Sequence, residues 1–185
     1  MNRATLVERM RNRSERREAI AGWVGPLPVE TDQGCFWAWY SDCGLMALAF
    51  PDQAPAPPFE GAVPACVRRW HAQTERAVRA VLAGRTPPVC PPLDWRGATP
   101  FQREVWRTLL QIPRGEVRTY GDVARAVGRA GGARAVGRAC ASNPIPLLVP
   151  CHRVIGAGGS LGGFSAGSGW KRKLLALEGA AGIRL

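Results

Sequence analysis

The sequence predicts a small α/β unit (a short sheet plus a helix) over residues 1–94. A mostly helical unit follows over residues 95–185, with a helix-turn-helix and a short strand at its reactive site. Three observations predict it. The first half holds two strand-like runs and one long amphipathic stretch. Two proline clusters, residues 51–64 and 87–92, punctuate that half, and the second leads into Leu93-Asp94-Trp95-Arg96-Gly97, where the boundary falls. The second half then holds three helix signatures in succession before an apolar run that ends at Cys151-His152. At 185 residues the chain is long enough to bury a proper core.

The elements follow in order. Residues 3–18 alternate arginine and glutamate with no apolar core behind them, so they read as a solvated helix or tail and not as a secretory signal. Cys35 to Tyr40 and Leu45 to Phe50 are strand-like, separated by the turn chemistry of Ser41-Asp42-Cys43-Gly44. Ala65 to Ala83 places Val67, Trp70, Thr74, Ala77, Val78 and Val81 on one helical side, with Arg68, Arg69, Arg76 and Arg79 largely opposite. Thr99-Pro100 starts a second helix carrying Phe101, Val105, Trp106, Leu109 and Leu110. Thr119 caps a third, with Asp122 three residues on. After Gly131-Gly132 a fourth covers Ala133 to Ala141. Two short helices around a glycine-containing turn form a helix-turn-helix pattern. The run Ile145 to Val149 reads as a strand leading into the Cys-His pair.

Charge and cysteine usage narrow the function. Residues 1–98 hold 12 arginines or lysines against 10 acids, whereas residues 99–185 hold 13 against 4. A basic field confined to one half is the footprint of a polyanion partner, most simply nucleic acid. Only Lys171 and Lys173 are lysines, so base composition of the gene contributes to the arginine bias. In the helix from Ala133, the small residues Ala133, Ala135, Gly137, Ala139 and Ala141 accompany Arg134 and Arg138 on one face. Small side chains permit close backbone approach, and the arginines select a negative surface. The six cysteines show no CxxC pair, which excludes a zinc site of ordinary spacing and fits free thiols in a reducing cytoplasm. No apolar stretch is long enough to span a membrane.

Pro150-Cys151-His152-Arg153 is the reactive candidate. Thiolate is the nucleophilic form of cysteine, and a neighbouring base or cation lowers the thiol pKa from about 8.5. The spacing therefore predicts an ionised cysteine beside its base.

Residues from about Leu93 to Gly179 resemble the O6-alkylguanine-DNA alkyltransferases, repair proteins that move an alkyl group from DNA onto their own cysteine in one turnover. The resemblance rests on Thr99-Pro100-Phe101-Gln102, Gly115 to Tyr120, Arg134-Ala135-Val136-Gly137, Asn143-Pro144, Pro150 to Ile155, Leu161 to Ser165 and Lys171 to Glu178. It implies that Cys151 accepts the alkyl group, that His152 acts as its base through a water molecule and that Glu178 orients the imidazole. Asn143 would brace the turn carrying Cys151. Arg134 would fill the place of a base flipped out of the duplex, Tyr120 would press on the flipped nucleotide and donate to the leaving purine, and Ser165 would donate to the alkylated oxygen. Phe164, where tyrosine is frequent, would form an aromatic pocket wall. Ala133, Gly137, Arg138 and Lys171 would belong to the DNA-binding surface. The implied partner is double-stranded DNA carrying O6-alkylguanine, bound by a monomer without metal or other cofactor.

Three readings compete in other classes. A non-catalytic alkyltransferase-like lesion-binding protein would lack the acceptor, usually carrying tryptophan there, yet Cys151 is present. An alkylation-sensing DNA-binding regulator would carry an added DNA-binding or zinc module, and no such pattern is visible. A cysteine hydrolase would need an oxyanion hole and would turn over repeatedly.

Overall fold

The computed structural model describes residues 23–53 and 59–180. The charged amino-terminal segment lies outside the described residues. Three strands, β1 (Val24–Thr31), β2 (Gly34–Tyr40) and β3 (Leu45–Ala49), form an antiparallel sheet in that order. The strand β1 is an addition to the sequence reading. Along β2 the pleat sends Phe36, Ala38 and Tyr40 into the main core, while Trp37 and Trp39 join Met46, Ala47 and Ala49 on the other face. Helix α1 (Ala65–Leu82) packs against the sheet with Val67, Trp70, Thr74, Ala77, Val78 and Val81 all buried. Burying each large apolar side chain there contributes roughly 1.5–3 kcal/mol, which fixes the predicted face.

The outer edge of β3 does not face solvent. Leu45 N donates to Pro92 O (2.8 Å), Asp94 N to Leu45 O (2.8 Å) and Leu48 N to Pro144 O (2.8 Å), so segments of the second half close that edge. The apolar core is continuous from the sheet into the helices that follow.

Helix α2 (Pro100–Leu110) begins with a full capping box. Thr99 accepts from Gln102 N while the Gln102 side chain accepts from Thr99 N. The same Gln102 amide donates to Ser142 Oγ (2.8 Å), and the Trp106 indole donates to Ala139 O (2.9 Å), tying α2 to the far end of α4 (Ala133–Ala141). Helix α3 (Tyr120–Ala126) repeats the device with Thr119 and Asp122. Strand β4 (Arg118–Thr119) pairs in parallel with β5 (Val154–Ile155), Thr119 opposite Ile155. That pairing sets Tyr120, the first residue of α3, beside the Cys151 turn. Helix α5 (Gly167–Glu178) closes the chain's described part and ends at Gly179 with φ of 69°, a left-handed cap.

One expectation is corrected here. Ile145 to Val149 is not a strand, and the short strand at the site, β5, follows the cysteine instead of preceding it. Pro146 supplies no donor, and Leu147 sits at a φ of 77°, which a strand cannot contain. The run is a buried turn.

Candidate active site

Asn143 organises that turn. Its side-chain amide donates to Val149 O (2.9 Å) and to Cys151 Sγ (3.2 Å), while its oxygen accepts from Ile145 N (3.1 Å). Three bonds from one buried side chain hold Leu147 in its unfavourable conformation and aim the sulfur. Residues Cys151–Arg153 then form a single 3-10 turn that directs successive side chains apart.

Cys151 is 3% exposed and His152 fully buried. His152 Nε2 lies 2.9 Å from Glu178 Oε1. Arg153 grips the same carboxylate at both oxygens (Nε to Oε2 2.9 Å, Nη2 to Oε1 2.8 Å) and donates to Ile112 O (2.6 Å). Burial alone would raise the Glu178 carboxyl, but the bonds from His152 and Arg153 outweigh it and hold its pKa at about 2. An ionised carboxylate only accepts, so Nε2 carries the hydrogen. Burial pushes the imidazole pKa below its ordinary value, against the pull of Glu178, so the ring rests neutral. Its lone pair is therefore on Nδ1, a buried atom with no partner among the described residues.

The ionised resting cysteine expected from the sequence is not what the structure holds. Burial pushes the Cys151 thiol up to about 11, and the Asn143 hydrogen bond and the Lys171 charge recover only part of that shift. The sulfur rests protonated and requires a base. Lys171 does not lie at the surface with Arg134 and Arg138. It is fully buried, its ammonium donating to Val154 O (2.5 Å) and standing 5.7 Å from the centre of the Tyr120 ring.

Tyr120 forms one wall. Its hydroxyl donates to Gly163 O (3.4 Å), and burial raises its pKa to about 12, so it remains a donor. Gly162 has φ of 64°, and a Cβ there would come 3.0 Å from the Tyr120 oxygen, so this loop closes over the ring only with glycine. Gly137 faces the other edge of that ring, where an added Cβ would meet it at 3.9 Å, an ordinary contact. Phe164 is half-buried, edge-on to Phe50 at 5.8 Å, and Ser165 is exposed, its carbonyl accepting from Gln53 (3.2 Å). On α4, Arg134 and Arg138 are exposed, Ala133 is half-buried at the first turn, and Val136, Ala139 and Cys140 point inward. Cys140 is thus a buried thiol next to the site. A cavity of about 470 Å³ between the β1–β2 turn and the end of α1, and one of about 190 Å³ beside α3, both lie away from Cys151.

The sequence reading quoted Arg153 without giving it a role and missed Ile112. A cation two residues after a candidate nucleophile was a visible signal for the first; the carbonyl of Ile112 had none.

The DNA-binding domain of 6-O-methylguanine DNA methyltransferase matches residues 100–180. A methylated-DNA–protein-cysteine methyltransferase of Mycobacterium tuberculosis is 52% identical over 101 residues, covering 55% of this chain and 61% of that protein. The solved M. tuberculosis O6-methylguanine methyltransferase is 35% identical over 82% of this chain and 90% of its own, with a TM-score of 0.65. A structure of the M. tuberculosis protein in complex with DNA is 34% identical over 85% and 94%, with a TM-score of 0.63. The chain belongs to the 6-O-methylguanine DNA methyltransferase family. It spans about three fifths of the length of the first curated relatives it matches. The family match over residues 100–180 spans the helical half that carries Asn143, Cys151, His152 and Glu178.

Proposed function

We propose that the protein repairs DNA by moving the alkyl group of O6-alkylguanine from duplex DNA to the sulfur of Cys151. One observation carries the reading: Glu178 and Arg153 fix the hydrogen of His152 on Nε2, leaving a neutral, buried lone pair on Nδ1 in the residue after a protonated thiol.

The exposed arginines of α4, Arg134 and Arg138, lead the basic face that meets the phosphates, with Ala133 and Gly137 keeping the helix backbone close. The reactive carbon is inside the stack, so the nucleotide rotates out, and Arg134 occupies its place from the minor groove. Because Cys151 is nearly sealed, the loop through Gly162 and Gly163 must yield as the base enters between Tyr120 and Phe164. His152 Nδ1 takes the thiol proton through one water, the kind of partner a buried unpaired nitrogen requires. The sulfur attacks the alkyl carbon, the S–C bond forms, the bond to O6 breaks, and its electron pair goes to the purine. Tyr120 and Ser165 donate to the departing base, which leaves as guanine after regaining a proton from the relay. The product thioether has no leaving group, so each molecule acts once. This chemistry needs no metal or nucleotide, and a monomer with free thiols suits the reducing cytoplasm. Residues 95–185 carry it all. Among the described residues no helix is long and apolar enough to cross a membrane.

The test is to mix the protein with a duplex containing O6-methylguanine and count restored guanine. Conversion should stop at one base per protein molecule. Binding without conversion would make the chain a lesion-binding protein, and continued turnover would make it a conventional enzyme.

A further inference from the structure

Lys171 is a charge the transfer scheme leaves unused. Its side chain is fully buried, yet no carboxylate lies within ion-pair distance of it among the described residues. The one carboxylate nearby in the fold, Glu178, is taken by His152 and Arg153. The ammonium has a carbonyl, Val154 O, at 2.5 Å, and the Tyr120 ring face at 5.7 Å. A buried cation served only by a carbonyl and a ring is poorly compensated, and such groups persist where a charge is needed.

The last helix, α5, packs on the 3-10 turn that carries Cys151 and His152, and the Lys171 ammonium bonds to Val154, three residues past the sulfur. Tyr120 of α3 presents its ring to it, and the charges of Cys140 of α4, Cys151 and His152 interact with it. Arg172 and Lys173, its neighbours on α5, are exposed. Of those groups only the two thiols and the phenol can become anions. Burial lowers the ammonium pKa, while Cys151, more than Cys140, pulls it back up.

We propose that Lys171 is a positioning residue for the acceptor, a preorganised cation whose counter-charge is the Cys151 thiolate formed as the thiol loses its proton. The inference rests on Cys151 being the acceptor. In the resting state the sulfur is neutral and the lysine gains little. As sulfur becomes anionic the attraction appears in full, at low dielectric and without reorganisation, so it favours the reactive form over the ground state. Asn143 donates to the same sulfur from another side. Cys140 shares the field but lacks both the amide donor and a histidine, so the charge is spent selectively on Cys151.

Two arms test this. In the first, Lys171→Met, close in volume and unbranched, is compared with the native chain and with Lys171→Arg. Single-turnover transfer from O6-methylguanine duplex at saturating DNA should slow about ten-fold or more at neutral pH in the methionine variant. Its pH profile should move upward, DNA affinity and its salt slope should be unchanged, and arginine should restore the profile in part. An unchanged profile with a weakened, less salt-dependent DNA affinity would overturn the proposal and make Lys171 a phosphate contact.

The second arm needs no DNA and no transfer. Iodoacetamide capture of the Cys151 thiol, read peptide by peptide, follows the thiolate that forms there. Lys171→Met should slow that capture about ten-fold at neutral pH, with the exposed Cys43 and Cys66 unmoved. Equal capture of Cys151 in both chains would overturn the proposal. If the native protein transfers nothing, the acceptor reading fails while this arm still decides whether lysine and thiol are paired.

Discussion

Glu178 shows how much one side chain decides. Its carboxylate fixes the His152 tautomer and neutralises Arg153, so Glu178→Gln should leave a guanidinium facing a neutral amide and an imidazole free to turn. Transfer should slow by about 10²-fold, and urea unfolding at neutral pH should show a loss of roughly 3 kcal/mol. The sign with pH follows from a carboxyl held at about 2, below its ordinary value of 4.5. The contribution is complete above about pH 5 and disappears as pH falls toward 2. The variant's stability should therefore vary less with pH across that window, and an equal acid dependence would contradict the pairing. At this scale the sequence singled out Cys151 as the candidate nucleophile and, through a family resemblance, suggested partners for it. It did not reveal ionisation. A Cys-His pair among arginines looks like a thiolate until burial is known, and burial is a property of the whole core. Lys171 misled for the same reason: a lysine in a basic half reads as a surface contact, and only the packing of α5 under Tyr120 hides it.

Elements with strong local signals were legible, and those set by tertiary context were not. The helices α2 and α3 follow from Thr99 with Pro100 and from Thr119 with Asp122, start signals written within four residues, and the structure adds Gln102 as the second half of the first box. Thr119→Ala should cost about 1 kcal/mol in thermal or urea unfolding, since it removes the acceptor for Asp122 N; no measurable loss would show that the β4–β5 pairing alone holds the helix start. Strand β1 escaped notice because Gly25, Pro26 and Pro28 argue against a strand, yet β1 is an edge strand, where missing donors are tolerated. The turn over residues 145–149 was misread because its apolar run hides a conformation imposed by Asn143. Helix α4 makes its own prediction. Arg134→Ala should lower the rate on duplex substrate by an order of magnitude or more while leaving attack on free O6-methylguanine base unchanged. Equal losses on both substrates, measured in single-turnover assays, would remove Arg134 from the base-flipping step.

Across the whole molecule, the sheet supports the site and the helical half carries the charge. Phe36 meets Trp170 edge-on at 5.6 Å, Phe50 packs tilted against Trp170 at 4.9 Å and edge-on to Phe164 at 5.8 Å, so the first half props the start of α5 and the loop before it. Phe50→Leu should accordingly slow transfer of bulky alkyl groups differently from methyl, read as a changed ratio of the two rates, whereas a purely structural loss would lower both equally. The charge asymmetry between halves was readable by counting, and it predicts a steep salt dependence of DNA affinity. The contact between halves was not readable, because an aromatic cluster built from positions 36, 50, 164 and 170 has no local signature. Two buried thiols, Cys140 at about 12 and Cys151 at about 11, now lie in one neighbourhood, and burial raises both. Only the second has an amide donor on its sulfur and an imidazole in the next residue. The most direct measurement is peptide-resolved mass spectrometry after one equivalent of methylated duplex. A single added methyl on the peptide holding Cys151 is the predicted result; a methyl on the Cys140 peptide, or none at all, would contradict the account.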